Sequence, residues 1–192
     1  MVIFAHGTGS SRFSPRNQSV ASMLNHAGFG ALLMDLLTEQ EEEAERFTRH
    51  FRFDVDMLAE RLAVAIVLMQ EEFGARIGLF GASTGAAAAL ISAAKEAKRV
   101  QAVVSRGGRP DLAGAALHLV RAPTLLIVGE RDAEVTELNE QARRRMTAPV
   151  EMKLVAGATH LFEEPGTLEQ VAALATGWFE AHLSPKRKSR SA

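Results

Sequence analysis

Short apolar runs alternate along this chain with longer segments of helical periodicity, and this alternation restricts the fold more than any other feature. The runs of strand character are 2–6, 31–35, 76–80, 102–105, 124–128 and 151–155. Segments with apolar residues at helical spacing lie near 16–27, 55–73, 84–97, 133–146 and 167–182. Strands that alternate with helices are typical of an α/β domain, so we expect a mostly parallel sheet of about six strands with helices on both faces.

Length and composition exclude several classes of function. The chain has 192 residues, 47% of them hydrophobic, and a formal net charge of -1, so nothing favours a nucleic acid or an anionic membrane as partner. It has no cysteine, its six histidines lack metal-ligand spacing, and no apolar run is long enough to span a membrane. We expect one cytoplasmic domain over 1–183, without metal or cofactor, and a disordered basic tail over 184–192.

The stretch IGLFGASTGAAAALISAAKE, at 77–96, contains the first candidate catalytic residue, Ser83. The stretch is predicted to form a strand, a turn with the sequence GASTG and an alanine-rich helix. This is the setting of a G-x-S-x-G nucleophile elbow. The positions that flank such a serine must be small because the turn is strained and packs helix closely against strand. In the alternative interpretation Ser83 only caps the helix, by accepting a hydrogen bond from a free first-turn N–H group.

The loop HGTGSSRFSPRN, at 6–17, could supply part of an oxyanion hole. A serine esterase needs two N–H donors for the oxyanion, one after the nucleophile and one from an early loop. Here they would belong to Thr84 and Thr8. The alternative is a turn that cradles a phosphate group, although Arg12 stands where G-x-G-x-x-G has its last glycine and G-K-[ST] is absent.

A candidate acid and a candidate base follow the last two predicted strands. Asp132 in GERD could accept the histidine N–H and stabilise the imidazolium, and His160 in GATHLFEEPG could be the general base. Glu130 is the alternative acid, and Asp132 could instead be an exposed helix cap. Ser83, Asp132 and His160 follow one another in the order typical of α/β-hydrolases.

Four arginines near the predicted site could select an anionic substrate. Two follow the early loop and two follow strand 102–105: Arg12, Arg16, Arg106 and Arg109. Guanidinium groups suit a carboxylate or a phosphate. Alternatively they lie on the surface or pair with Asp35, Asp111 and the glutamates near residue 41.

The motifs HGTGSSRFSPRN, GASTG, GERD and GATHLFEEPG together resemble those of the α/β-hydrolase superfamily, and specifically of its dienelactone hydrolase-related group. SPRN and SRGGRPDLAG also resemble small hydrolases of that group that sometimes occur joined to phosphoribosyltransferase domains. The resemblance extends from residue 1 to about 183. It implies an α/β-hydrolase fold and the roles given above for the triad and the oxyanion donors.

The chain departs from the family pattern in two ways. Dienelactone hydrolases use a cysteine nucleophile, so a serine esterase is the more natural expectation here. Family members also carry an N-terminal hairpin before the strand that ends in HG, whereas this strand begins at residue 2. Without the hairpin, strand 31–35 would be an apolar sheet edge, and we expect either a homodimer near this edge or a chain shortened from a longer gene product.

The connection 38–53 is irregular and acidic. Its glutamates are expected to form a solvated helix face, while Phe47, Phe51 and Phe53 could line a lid or a pocket wall.

The sequence thus predicts a serine hydrolase that cleaves a small ester, lactone or thioester through an acyl-enzyme on Ser83. Its expected partner is a small acyl substrate, which could be anionic. The alternatives are a noncatalytic module that binds a nucleotide or phosphate, and an acyltransferase.

Overall fold

The structure is a computed structural model that describes residues 1–48 and 50–183. Within them the strands form a single parallel sheet in the order β2-β1-β3-β4-β5-β6. The strands are β1 (Val2–Ala5), β2 (Ala31–Leu33), β3 (Ile77–Ala82), β4 (Val100–Arg106), β5 (Thr124–Gly129) and β6 (Val150–Val155). The expected α/β fold is therefore confirmed. The basic tail predicted for 184–192 lies outside the described residues.

Helices cover both faces of the sheet, as predicted. They are α1 (Pro15–His26), α2 (Glu39–Thr48), α3 (Val55–Phe73), α4 (Thr84–Lys95), α5 (Ala133–Arg145) and α6 (Thr167–Leu183). Because side chains alternate along a strand, Val2 and Phe4 pack toward α1 and α6 while Ile3 and Ala5 pack toward α3 and α4. The core therefore has two layers, one on each side of the sheet.

Local sequence signals set the ends of the best predicted helix. Asp54 accepts a hydrogen bond from the Met57 N–H at 3.0 Å and caps the start of α3. Gly74, with φ of 58°, ends the helix in the left-handed conformation that favours glycine. The predicted boundaries of α3 are correct to the residue, whereas those of the other elements differ by one or two positions.

The acidic connection is more ordered than its sequence indicates. It contains α2 and a 3-10 turn at Phe51–Phe53. The prediction of a solvated glutamate face is wrong for two positions: Glu45 is fully buried and pairs with Arg52, and Glu41 pairs with Arg61. Local periodicity could not reveal these partners, because they lie in other elements.

Another 3-10 segment, Pro110–Leu119, was missing from the predicted elements. It contacts α4 and α5, with Leu117 in the core. Gly114 interrupts it at φ of 52°. The segment is therefore two short helical pieces joined at a kink.

Candidate active site

The carboxyl ends of the parallel strands meet at one edge of the sheet, and a cavity of about 230 Å³ lies there. Ser83 at the junction of β3 and α4 lines it, together with His160 from the loop after β6 and Gly7 from the loop after β1. In an open parallel sheet this edge is the usual place for a ligand. The fold therefore brings together segments that are far apart in the sequence.

Ser83 sits on a strained turn, as the elbow interpretation requires. Its φ of 50° and ψ of -124° lie in a region that residues other than glycine rarely adopt. It occupies the cap position of α4, yet its side chain makes no capping hydrogen bond. The simple helix-cap interpretation therefore does not describe this residue.

The two glycines of the elbow permit close packing. A Cβ atom on Gly85 would lie 2.2 Å from the Ala5 carbonyl oxygen, and one on Gly81 would lie 2.5 Å from the Ala86 Cα. Either contact is far inside van der Waals distance, so a side chain would push α4 away from the sheet. The GASTG sequence is thus a requirement of packing as well as a possible functional motif.

Asp132, rather than Glu130, meets the histidine. His160 Nδ1 lies 2.6 Å from Asp132 Oδ2. Asp132 stands at the cap position of α5 but makes no side-chain capping bond, while Glu130 accepts the Gly157 N–H at 2.8 Å. Since one ring nitrogen of His160 is engaged by the carboxylate, Nε2 remains for a reacting group.

Close backbone contacts hold the loop that carries His160. A Cβ atom on Gly129, at the end of β5, would lie 2.5 Å from the Ala158 carbonyl oxygen. One on Gly107 would lie 3.0 Å from the His160 carbonyl oxygen.

The hydrogen bonds between described side chains include none from Ser83 to His160. Such bonds often form only when substrate is present.

The two expected oxyanion donors are adjacent, but one of them is engaged. The Thr8 N–H donates to Thr84 Oγ1 at 3.1 Å, and the two threonine hydroxyls are 3.0 Å apart. The sequence predicted the Thr8 N–H as an oxyanion donor, and this role stays a prediction. The contact forms because the threonine at the first position of α4 places its hydroxyl against the early loop.

The four candidate arginines divide into two groups. Arg16 and Arg106 line the cavity that contains Ser83. Arg12 pairs with Asp35, and Arg109 makes two hydrogen bonds to Asp111 at 2.9 and 2.8 Å; neither lines this cavity. The alternative of pairing with Asp35 and Asp111 therefore describes Arg12 and Arg109, and a role in substrate binding stays a prediction for Arg16 and Arg106.

Residues that the sequence analysis left out also belong to this site. Ser10 and Ser14 line the cavity, and Asn17 accepts a hydrogen bond from Arg106 Nη2 at 3.3 Å. Ser14 also caps α1, with Pro15 at the first helical position. The Ser-Pro pair at the end of the early loop was an available signal for this helix start.

The phenylalanines of the connection 38–53 do not line the Ser83 cavity. Phe47 and Phe53 are exposed, and Phe51 packs against the core on the α3 side. Glu42 and Arg52 instead border Gly9 of the early loop. The lid interpretation of this connection stays a prediction.

Over 1–48 and 50–183, no group of three histidine or carboxylate side chains is placed to hold a metal ion. In the same part of the chain, no helix has the length and apolar character needed to cross a membrane.

Comparison with known proteins identifies relatives along most of the chain. Two Mycobacterium tuberculosis proteins, named as candidate phosphoribosyl transferases, are 54% identical over 186 residues. The match covers 95% of this chain but 41% of each relative, so the chain spans about two fifths of their length.

Solved structures show the same fold. A dienelactone hydrolase from Anabaena variabilis superposes with a TM-score of 0.93 at 52% identity, covering 95% of this chain and 86% of that one. A monoacylglycerol lipase from Paleococcus ferrophilus has a TM-score of 0.74 at 18% identity, with 94% of both chains covered, and supports the fold alone. The sequence model of the dienelactone hydrolase family matches residues 1–183. With its α/β-hydrolase fold, the chain belongs to the dienelactone hydrolase family.

Proposed function

We propose that this protein is a serine hydrolase that cleaves a small ester, lactone or thioester through an acyl-enzyme on Ser83. The observation that carries the proposal is the shared cavity of Ser83 and His160, with Asp132 Oδ2 2.6 Å from His160 Nδ1. Membership of a hydrolase family supports the same class of reaction. No cofactor is required by this chemistry.

In the first step, His160 takes the proton of Ser83 while the serine oxygen attacks the carbonyl carbon. Asp132 keeps the Nδ1–H tautomer in place and stabilises the imidazolium that forms. The histidine then gives the proton to the leaving group, which departs as the acyl-enzyme forms. Water then attacks the acyl carbon while the same histidine takes its proton. The histidine returns that proton to the serine oxygen as the acyl bond breaks, which releases the acid and free Ser83.

The tetrahedral oxyanion would accept hydrogen bonds from the backbone N–H groups of Thr84 and Thr8. The Thr84 N–H lies in the first turn of α4, where helix N–H groups lack partners within the helix. The Thr8 N–H becomes a second donor once the Thr84 hydroxyl rotates away from it. The positive end of the α4 dipole adds to the stabilisation.

The test is covalent labelling with a fluorophosphonate, followed by intact-mass spectrometry and peptide mapping. We expect one adduct on Ser83, none in Ser83→Ala, and much slower labelling in His160→Ala. Ser22→Ala, which changes an exposed serine of α1, is the matched control and should label at the wild-type rate.

The labelling result also separates the proposal from the noncatalytic alternative. No adduct on folded wild-type protein, together with a nucleotide that raises the melting temperature, would favour a phosphate-binding module. If Ser83 is labelled, hydrolysis of short-chain 4-nitrophenyl esters with and without added alcohol distinguishes a hydrolase from an acyltransferase. Products dominated by transfer to the alcohol would contradict hydrolysis as the main reaction.

A further inference from the structure

Helix α5 carries a polar side chain on its buried face. The buried residues of this helix are Val135, Asn139 and Ala142, at helical spacing, and Asn139 is fully buried. Its Nδ2 donates to the Gly108 carbonyl oxygen at 2.9 Å and to the Val135 carbonyl oxygen at 2.7 Å. These two acceptors fix the orientation of the amide, because its oxygen cannot donate. Asn139 therefore joins α5 to the loop 107–109, which follows β4.

That loop is bonded to the backbone of the candidate nucleophile. The Arg109 N–H donates to the Ser83 carbonyl oxygen at 3.0 Å, and the Ser83 N–H donates to the Arg106 carbonyl oxygen at 3.3 Å. Ser83 has a φ of 50°, and a strained residue persists only where its surroundings restrain it. The two hydrogen bonds provide part of this restraint, so the position of the loop affects the position of Ser83.

The same loop contacts the candidate base. A Cβ atom on Gly107 would lie 3.0 Å from the His160 carbonyl oxygen and 3.6 Å from the His160 Cε1 atom. The Gly107 N–H donates to the Ile127 carbonyl oxygen at 2.8 Å, which attaches the loop to β5. The loop 107–109 therefore touches both the residue that would attack the substrate and the residue that would take its proton.

The third member of the candidate triad lies on the helix that carries Asn139. Asp132 occupies the cap position at the start of α5, and its Oδ2 lies 2.6 Å from His160 Nδ1. Asn139 follows about two turns later. One helix thus holds the acid at its start and, through Asn139, the loop that contacts Ser83 and His160.

The amide at this position has a cost in the folded protein. Within 1–48 and 50–183, Asn139 Oδ1 is buried and has no hydrogen-bond partner, and an unpaired buried acceptor is unfavourable. An apolar residue would continue the buried face formed by Val135 and Ala142 without this cost. It would, however, leave the Gly108 carbonyl oxygen without this donor. What the asparagine adds is therefore the hold on the loop.

We infer that Asn139 is a positioning residue, whose hydrogen bond to the Gly108 carbonyl oxygen holds the loop 107–109 where it aligns Ser83 with His160. The inference rests on the proposed function for the reaction. The hold on the loop is defined by the hydrogen bonds alone and can be measured without turnover.

Asn139→Ala removes the amide and tests the inference. We expect kcat/KM for 4-nitrophenyl acetate and the rate of fluorophosphonate labelling of Ser83 to fall about 10- to 100-fold, since misplacement of reacting groups by about 1 Å can cost about 100-fold. Asn139→Ser provides the test if Asn139→Ala does not fold. Its hydroxyl can donate to the Val135 carbonyl oxygen of its own helix, but the shorter side chain does not reach Gly108, so the same losses are expected.

Ala142→Gly is the matched control, because it weakens the same buried face of α5 and leaves the bond to Gly108 in place. It should lower the melting temperature, as Asn139→Ala does, while kcat/KM and the labelling rate stay close to wild type. Equal slowing in Ala142→Gly would overturn the inference, because the slowing would then follow from weaker packing of α5.

Hydrogen exchange of the Arg109 amide, followed by NMR, reports on the loop without turnover. This N–H is bonded to the Ser83 carbonyl oxygen, so it should exchange faster in Asn139→Ala than in wild type or in Ala142→Gly. Faster exchange with wild-type labelling would show a structural role only and would overturn the inference, as would unchanged exchange; labelled Ser83 leaves the proposed function intact in both cases. Absence of labelling on folded wild-type protein would count against the proposed function instead, whatever the exchange rates.

Discussion

In this site the direction of a side chain, more than its residue type, decides which group it contacts. Asp132 and Glu130 are two positions apart at the end of β5, yet one contacts His160 and the other contacts the Gly157 N–H. The choice between these two acids was open in the sequence. The structure places only Asp132 beside His160.

Exchange of these two carboxylates for amides gives a residue-scale prediction. Asp132→Asn should lower kcat for ester hydrolysis by roughly 10³- to 10⁴-fold, because an amide no longer holds the histidine tautomer or stabilises the imidazolium. Glu130→Gln should leave kcat close to wild type, since its amide oxygen can still accept the Gly157 N–H. Steady-state kinetics and the fluorophosphonate labelling rate measure both effects. Similar losses in the two variants would contradict the assignment.

At the scale of elements, an ion pair joins α2 to α3. Arg61 donates to both carboxylate oxygens of Glu41, at 2.6 Å each, and to the Leu36 carbonyl oxygen at 2.7 Å. Hydrogen bonds from Arg61 are the main cause that lowers the pKa of Glu41 from its ordinary value of 4.5 to about 2. This contact orders a segment that the sequence presents as a solvent-exposed acidic helix.

The pH dependence of this contact follows from the lowered pKa of Glu41. Because the folded state holds Glu41 ionised, its contribution to stability is complete above about pH 4.5 and is lost as the pH falls toward 2. Glu41→Gln should lower the free energy of unfolding at neutral pH by about 1 kcal/mol and reduce its acid dependence in that window.

Thermal or urea unfolding between pH 2 and 7 checks this expectation. Glu43→Gln, which changes an exposed glutamate of the same helix, is the control and should have little effect. An unchanged acid transition in Glu41→Gln would contradict a stabilising role for the pair.

At the scale of the whole molecule, the sheet has β2 at one edge, as the family resemblance implied. This strand is short and half-buried, and in the described residues its outer side has no strand partner. Open strand edges are surfaces for pairing. We predict a homodimer that forms near β2.

Light scattering coupled to size exclusion tests the oligomeric state. A mass of about twice the 20.7 kDa of one chain, together with loss of amide hydrogen exchange protection in β2 on dilution, would support the dimer. A monomeric mass at every concentration would contradict it.

The sequence alone determined much of the fold, because the information for it is local. The apolar periodicity of 55–73 predicted α3, and the Asp54 cap and Gly74 that the structure shows at its ends are features of the same local stretch. The glycines of GASTG indicate a tight strand-to-helix turn, since only small residues permit the contacts found at Gly81 and Gly85. The order of Ser83, Asp132 and His160 along the chain then indicated which serine, acid and histidine are the candidates for one site.

Tertiary structure decided which charged groups meet, since ion pairs join residues far apart in sequence and depend on side-chain direction. It placed Asp35 beside Arg12 and, within 1–48 and 50–183, left Arg106 without a carboxylate at ion-pair distance. It also engaged the Thr8 N–H with the Thr84 hydroxyl, across 76 positions of the chain. Periodicity fixes the face on which a residue lies, but the partner of a buried charge exists only once the chain has folded.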